Sequence, residues 1–419
     1  MRKLLFKSLQ KVQKGNFFKN IEFMERNYGK YSKEIQEKNF FNFLKHAINT
    51  TDYYADYGKY KTINECPVIT KDIVKENYKD FLSNKYKKEK LVKTTTSGSY
   101  GTPFTFLFTK KKKEIQRSDI IYFSRWANYD VGVKHGYALA KDKPMFLQIL
   151  QNQYAIIPFK ITDQWLEKEI QKIKRRKLKI LIGYPSTIGA LAKHLISKNE
   201  TYKLEGVITI SEVLIDSVRE DIEKAFGVKP LSRYTTEEFG VLGMECPKQQ
   251  NLHLNNVHFI IEVLDENNQP VQPGEQGEVV VTDLYSHAMP LIRYKTGDLA
   301  ILGKDTCECG LNTPYLEKLL GRQLEVIYAP DGSKVESMAI NGRMRDIEGV
   351  RQFQFIQTGK SEYTLNIVKL KEMIDEIEIA KRYKKILGEE ANIIFNYVDD
   401  IPPLKSGKRP YILQRYYKE

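Results

Sequence analysis

Several things are scarce in this chain, and each scarcity excludes something. Of 419 residues only Cys66, Cys246, Cys307 and Cys309 are cysteine, too few for a disulfide framework at this length. No apolar run approaches the roughly 20 residues of a membrane-spanning helix. The opening, MRKLLFKSLQKVQKGNFFKN, lacks the apolar core and the small-residue cleavage site of a secretion signal. These absences predict a reduced, cytoplasmic protein. No Walker A Gly-Lys-Ser/Thr occurs, no Gly-x-Gly-x-x-Gly, no internal repeat and no low-complexity block.

Aromatic residues are plentiful, with 26 Tyr and 20 Phe, which argues for packed cores and against disorder. The length exceeds what one core usually serves, so two or more domains are expected. A formal charge of +14 suggests polyanionic company: nucleotide phosphates, nucleic acid or an anionic membrane. The lysines are spread over the whole chain and no DNA or RNA recognition motif accompanies them, so no specific nucleic-acid partner is expected. Leu4, Leu5, Leu9 and Val12, interrupted by lysines, form a stripe suited to peripheral membrane contact or to packing on its own domain.

Residues 1 to about 90 read as mainly helical. Helix-like and strand-like segments then alternate: WLEKEIQKIKRRKLK, ILIGYP, STIGALAKHLISK, LEGVITIS, VLIDSVREDIEKAFG. That alternation predicts an α/β fold with parallel strands. From residue 257 the pattern becomes a β-meander, and an α+β segment closes the chain. The expected organisation is a large N-terminal α/β domain, 1–320, with a meander subdomain, and a small mobile α+β domain, 321–419, joined near Gly321–Arg322.

Four segments carry candidate chemistry. TTTSGSYGTP, 94–103, offers hydroxyls and unhindered backbone N–H groups suited to phosphate oxygens, or makes a plain surface turn. RYTTEEFGVLGMEC, 233–246, sets two carboxylates after an aromatic residue in a glycine-containing turn. That is a Mg²⁺ ligand beside a base-stacking tyrosine, or a solvated acidic turn. PLIRYKTGDLA, 290–300, places Asp298 after a glycine, where a carboxylate can accept both hydroxyls of a ribose. PLKSGKRP, 403–410, is a polar loop near the C-terminus whose lysine, taken alone, is an ordinary solvated charge.

In order and spacing these four segments resemble the adenylate-forming superfamily of acyl-CoA synthetases, luciferases and peptide-synthetase adenylation domains. They are most similar to the phenylacetate–CoA ligase-like family, including its members from capsular and other polysaccharide biosynthesis. The likeness extends over nearly the whole chain. It implies an acyl-adenylate synthetase fold using ATP and Mg²⁺. It assigns the ATP phosphates to Thr96, Ser97, Gly98, Ser99, Gly101 and Thr102. It further implies nucleotide contacts from Tyr234 and Thr236, Mg²⁺ on Glu238, the ribose on Asp298, a hinge at Gly321–Arg322 and the adenylation lysine at Lys408.

The chemistry is coherent with those roles. A carboxylate is a poor electrophile, and attaching AMP with loss of pyrophosphate creates a leaving group. Attack of one anion on the α-phosphorus of another is helped by positioning and by charge compensation. Lys408 would bridge carboxylate and α-phosphate through charge-assisted hydrogen bonds.

The sequence departs from the family pattern at informative places. Thr235 stands where glycine is usual and Glu237 where Thr or Ser is usual, so a carboxylate replaces an AMP-facing hydroxyl and Thr236 becomes its substitute. Leu324 occupies the usual Asp or Lys position of the hinge, and Tyr100 enlarges the phosphate loop. After the hinge, EVIYAPDGSKVESMAING lacks the Pro-x-x-Ile-Glu-like signature that lines a pantetheine tunnel, which leaves the acceptor open among CoA, an amine and a glycan precursor.

Cys246, His253, Cys307 and Cys309 make up a Cys₃His set of the kind that holds structural zinc in a tetrahedron, the alternative being three buried free thiols. Cys66 reads as core. The expected function is ATP-dependent activation of a small carboxylic acid. The rival is a nucleotide-binding, catalytically degenerate module of a biosynthetic assembly.

Overall fold

The computed structural model describes residues 15–30, 32–95, 104–139, 143–304, 306–322, 326–335, 337–344, 347–370, 373–404 and 407–417. The chain forms two compact units, Met1–Val131 with Arg233–Leu319, and Gly132–Ser232 with Leu320–Glu419.

The first unit opens with helices α1 (Phe17–Asn27), α2 (Lys33–Thr50) and α3 (Lys71–Glu76). A hairpin of β1 (Val92–Thr95) and β2 (Thr105–Phe108) follows, with Thr95 opposite Thr105. Helix α4 (Lys110–Ser124) begins with four lysines at the end of the helix that repels cations. Thr109 Oγ1 caps it by accepting the Lys112 N–H at 3.1 Å. Lys112 turns away from solvent: its Nζ lies 2.6 Å from Asp283 Oδ2, with both side chains at or below 1% exposure, and 4.6 Å from the centre of the Phe259 ring.

The second unit then supplies β3 (His135–Ala138), α5 (Met145–Gln151), β4 (Gln153–Ala155), α6 (Asp163–Arg176), β5 (Ile180–Gly183), α7 (Pro185–Ser197), β6 (Gly206–Ile210) and α8 (Asp216–Phe226). The strands β4–β3–β5–β6 are parallel, as the alternating pattern predicts. ILIG and GVITI are buried at every position, the signature of strands covered on both faces. Gly183 lets β5 approach β3 closely, since a Cβ there would lie 2.3 Å from the Ala138 carbonyl oxygen.

Strand β7 (Pro230–Thr236) returns the chain to the first unit, followed by β8 (Gly240–Glu245), β9 (Leu252–Leu254), β10 (Phe259–Leu264), β11 (Gln276–Asp283), β12 (Tyr294–Leu302) and β13 (Tyr315–Arg322). Within this unit the strand order is β10–β11–β12–β13–β9–β8–β7, and β10–β11–β12 is the expected antiparallel meander. Phe106, Phe108, Phe239, Phe259, Leu291 and Tyr294 are among the side chains of its core.

The chain finally adds to the second unit β14 (Ile327–Tyr328), β15 (Lys334–Val335), α9 (Ser337–Gly342), β16 (Val350–Gln357), β17 (Glu362–Lys369), α10 (Glu376–Leu387), β18 (Asn392–Tyr397) and β19 (Ile412–Gln414). Four of these form a sheet in the order β18–β17–β16–β19. Phe353, Phe355, Tyr363 and Tyr383 share one continuous core with Ile188, Leu191 and Val218 of α7 and α8. Among the described residues no helix is long and apolar enough to cross a membrane.

Candidate active site

Strand β12 begins with the segment that carries Asp298. Arg293, just before it, has a left-handed backbone, φ 51°, which a non-glycine residue adopts only when its surroundings hold it there. Here they do. Its guanidinium pairs in bidentate fashion with Glu262, Nε–Oε2 3.1 Å and Nη2–Oε1 2.9 Å. Nη1 donates to the carbonyls of Asn64 and Cys66 at 2.9 and 2.8 Å, and the backbone N–H donates to Thr282 Oγ1 at 2.8 Å. The arginine of this motif is therefore an anchor, clamping segment 64–69 to the root of β12.

From that root the chain reaches Gly297, φ 77°, and Asp298. The Asp298 N–H donates to Thr296 Oγ1 at 3.1 Å, and the Tyr234 hydroxyl donates to Asp298 Oδ2 at 2.7 Å. Burial first, then the charges of Asp298 and Glu238, push the Tyr234 phenol well above its ordinary pKa, so it serves as a donor. Tyr234, Glu238 and Asp298, drawn from two segments about sixty residues apart, thus converge. Tyr234 itself packs in the core, and its hydroxyl orients the carboxylate.

The turn between β7 and β8 is closed by Thr236, whose Oγ1 accepts the Phe239 N–H at 3.2 Å. Glu237 is exposed, and its charge raises the affinity of Lys113 for its proton, although burial of that lysine has the larger, opposite effect. Lys113 also donates to Gln116 Oε1 at 2.7 Å. The unusual carboxylate at 237 thus has a cation within electrostatic reach.

Lys408 sits in a tight turn of the second unit, closed by Leu404 N–H to Lys408 O and Gly407 N–H to Leu404 O, both 2.8 Å. Beyond it, the Arg409 N–H donates to Glu212 Oε1 at 2.8 Å, and Glu212 Oε2 accepts the Ser186 N–H at 3.1 Å. Burial raises the Glu212 pKa; the Arg409 and Ser186 hydrogen bonds and the nearby Lys408 charge oppose it.

The Cys₃His set is brought together by strand pairing. Cys246 follows β8, His253 lies in β9 opposite Met244 of β8 and Tyr315 of β13, and Cys307 and Cys309 precede β13. The four candidate ligand atoms lie within 4.8 Å of one another. Cys246 Sγ and Cys307 Sγ are 3.8 Å apart, and Cys309 Sγ is 3.2 Å from His253 Nε2. A tetrahedron with metal–sulfur bonds of about 2.3 Å has edges of about 3.8 Å, so the set fits zinc. Thr313 Oγ1, 2.7 Å from His253 Nδ1, fixes the ring with Nε2 facing the sulfurs, and Asn251 Nδ2 donates to Cys307 Sγ at 3.4 Å.

Of the residues expected from sequence, Tyr234, Thr236, Glu238, Asp298 and the Cys₃His set fall in the first unit and Lys408 in the second. Arg322 ends β13, next to Gly321, φ 97°. Thr96, Ser97, Gly98, Ser99, Gly101 and Thr102, with Tyr100, Leu324, Ser406 and the N-terminal stripe, lie outside the described residues. Sequence reasoning missed Glu262, Lys113, Thr313 and Glu212. Only Glu212 left a signal: a single acid just past the carboxyl end of a buried parallel strand, where open α/β sheets place ligand-binding groups.

Comparison with known proteins places the chain by sequence and fold. Residues 327–415 match the CapK C-terminal domain family model. The chain is 24% identical to Protein CapK of Staphylococcus aureus over 98% of its own length and 97% of the relative's. It is 27% identical to a phenylacetate-coenzyme A ligase of Thermus thermophilus, over 54% of this chain and 50% of that one. The fold matches the crystal structure of 2-hydroxyisobutyryl-CoA ligase, in its postadenylation state with an acyl-AMP bound, at a TM-score of 0.71 and 16% identity, covering 89% and 88% of the two chains.

Proposed function

We propose that the chain, which is similar to phenylacetate–CoA ligases of the adenylate-forming superfamily, activates a small carboxylic acid with ATP, forming an acyl-adenylate and releasing pyrophosphate, in capsular or related polysaccharide biosynthesis. The observation that carries this reading is the 2.7 Å hydrogen bond from Tyr234 to Asp298, which joins two of the motifs into one pre-oriented carboxylate.

Asp298, with one oxygen held by Tyr234, keeps acceptor capacity for the ribose hydroxyls. The 96–102 loop would wrap the β and γ phosphates, and Glu238 would hold Mg²⁺, which offsets the charge that develops on the departing pyrophosphate. Lys408 would donate to the substrate carboxylate and the α-phosphate, bringing two anions together. Residues 321–419 would then turn about Gly321–Arg322, withdrawing Lys408 so that CoA, an amine or a glycan precursor can attack the acyl carbon. The Cys₃His set would hold a structural zinc, with Thr313 and Asn251 orienting its ligands. The site of action is the cytoplasm.

ATP–pyrophosphate exchange across aryl, fatty, amino and sugar acids, wild type against Lys408→Ala, tests the reading. Exchange with one acid class, reduced by about 10²–10³-fold in the variant, is expected. Exchange that survives the substitution would overturn the role of Lys408. ATP binding with no exchange for any acid would leave a nucleotide-binding module without the chemistry.

A further inference from the structure

Glu212 belongs to none of the motifs, yet it is the carboxylate wired to the lysine turn. Its two oxygens reach in different directions, Oε1 to the N–H of Arg409 at 2.8 Å and Oε2 to the N–H of Ser186 at 3.1 Å. Ser186 is the second residue of α7, whose N-cap residue Tyr184 makes no side-chain capping bond. Glu212 thus accepts from an N–H that a helix leaves without an intrahelical acceptor. Capping alone accounts for Oε2. It gives no reason for Oε1 to hold the backbone directly after Lys408.

The rest of the turn is fastened on the same side. Arg409, 3% exposed, donates from Nε to Ile401 O at 2.7 Å and from Nη2 to Phe159 O at 3.0 Å. Asp400 Oδ1 accepts the Ile161 N–H at 3.2 Å, and its other oxygen is 3.9 Å from Arg409 Nη2. These contacts fix where the backbone around Arg409 lies. Glu212 places a negative charge near the lysine while gripping the adjoining peptide.

We infer that Glu212 is the positioning residue of the adenylating lysine: it docks the Lys408–Arg409 backbone onto the N-terminus of α7 and so sets the place of the Lys408 ammonium during acid activation. This rests on the reading of Lys408 given above. The carboxylate touches no reacting atom; it acts by fixing the main chain one residue away. Misplacing a reacting group by about 1 Å can cost about 10²-fold in rate.

Glu212→Gln keeps size and replaces one acceptor oxygen by an NH₂ group. It is expected to lower kcat for pyrophosphate exchange by about 10–100-fold, on the scale of such misplacement, while changing KM for ATP by less than about threefold. In a Lys408→Ala background the same substitution should cost nothing further, because its effect passes through the lysine. Multiplying losses in the double variant would overturn the inference and return Glu212 to a helix-capping role. Hydrogen exchange at the Arg409 amide gives a readout independent of activity. Protection in the wild type, retained in Lys408→Ala and lost in Glu212→Gln, is expected; unchanged protection in Glu212→Gln refutes the docking even if the enzyme shows no exchange with any acid. Should Glu212→Gln fail to fold, an unprotected Arg409 amide in the wild type refutes it equally.

Discussion

Arg293 shows how a motif residue can hold the fold together through remote partners. Its side chain is 4% exposed, and Glu262 opposite is 11% exposed. The guanidinium satisfies both carboxylate oxygens and two backbone carbonyls. Breaking a buried pair by removing one partner costs about 3–5 kcal/mol, because the other charge stays behind. Burial already raises the Glu262 pKa against the pull of Arg293, so that penalty is present and only partly offset. Each orphaned carbonyl adds about 1 kcal/mol or more. Arg293→Met should therefore destabilise the protein by about 5–7 kcal/mol, and Arg293→Lys by roughly half of that, since an ammonium keeps the charge and loses the fork. Adding Glu262→Leu to Arg293→Met should recover a large part of the loss, because no charge is then stranded. Urea melts of the four proteins measure this directly, and ATP affinity of Arg293→Lys, read below its melting range, should fall as the root of β12 loosens. A loss below about 1 kcal/mol for Arg293→Met, or a double variant no more stable than the single one, would refute the clamp.

Two further outcomes follow from the same reasoning. Purified protein should carry one zinc per chain by elemental analysis, and Cys309→Ser should lose it and melt several degrees lower; a metal-free wild type of full stability would leave the Cys₃His set as packed thiols. His135 is buried, and burial, with Lys143 adding to it against hydrogen bonds with the Val133 carbonyl and Gln153, pushes its pKa down to about 4. The unfolded chain takes up that proton near pH 6.5 and the folded chain not until about pH 4, so stability present above 6.5 is lost as the pH falls. The difference between pH 7.5 and pH 5 is about 2 kcal/mol. Denaturant midpoints of the wild type and His135→Gln at the two pH values should show a shallower acid loss in the variant, and equal losses would assign it elsewhere.

What the sequence disclosed, and what it withheld, divides by range. The parallel strands ILIG and GVITI, the meander and the β7–β8 turn are written in local runs, and they stand where those runs put them. Tyr234 and Asp298 were legible as types in a spacing, but not the hydrogen bond between them, which requires β7 and β12 to share one unit. Arg293 looked like part of a ligand motif because its partners, at 64, 66 and 262, are remote in sequence. Nothing local to the lysines at 110–113 shows that Lys112 is buried against Asp283, 171 residues away.

The same lesson governs the oddest departure, the carboxylate at Glu237. Beside a polyphosphate an added anion is costly unless a cation accompanies it, and two unit charges about 4 Å apart at an effective dielectric of about 20 interact by about 4 kcal/mol. Lys113 of α4 lies within electrostatic reach of Glu237, whose charge favours the protonated lysine against the larger, opposite effect of burial. The lysine run and the acidic turn therefore belong to one electrostatic arrangement, in which α4 supplies the positive charge that lets this turn carry a carboxylate where a hydroxyl is usual. That weakens the ground for a degenerate module, because the substitution at 237 comes with its compensation built into the neighbouring helix.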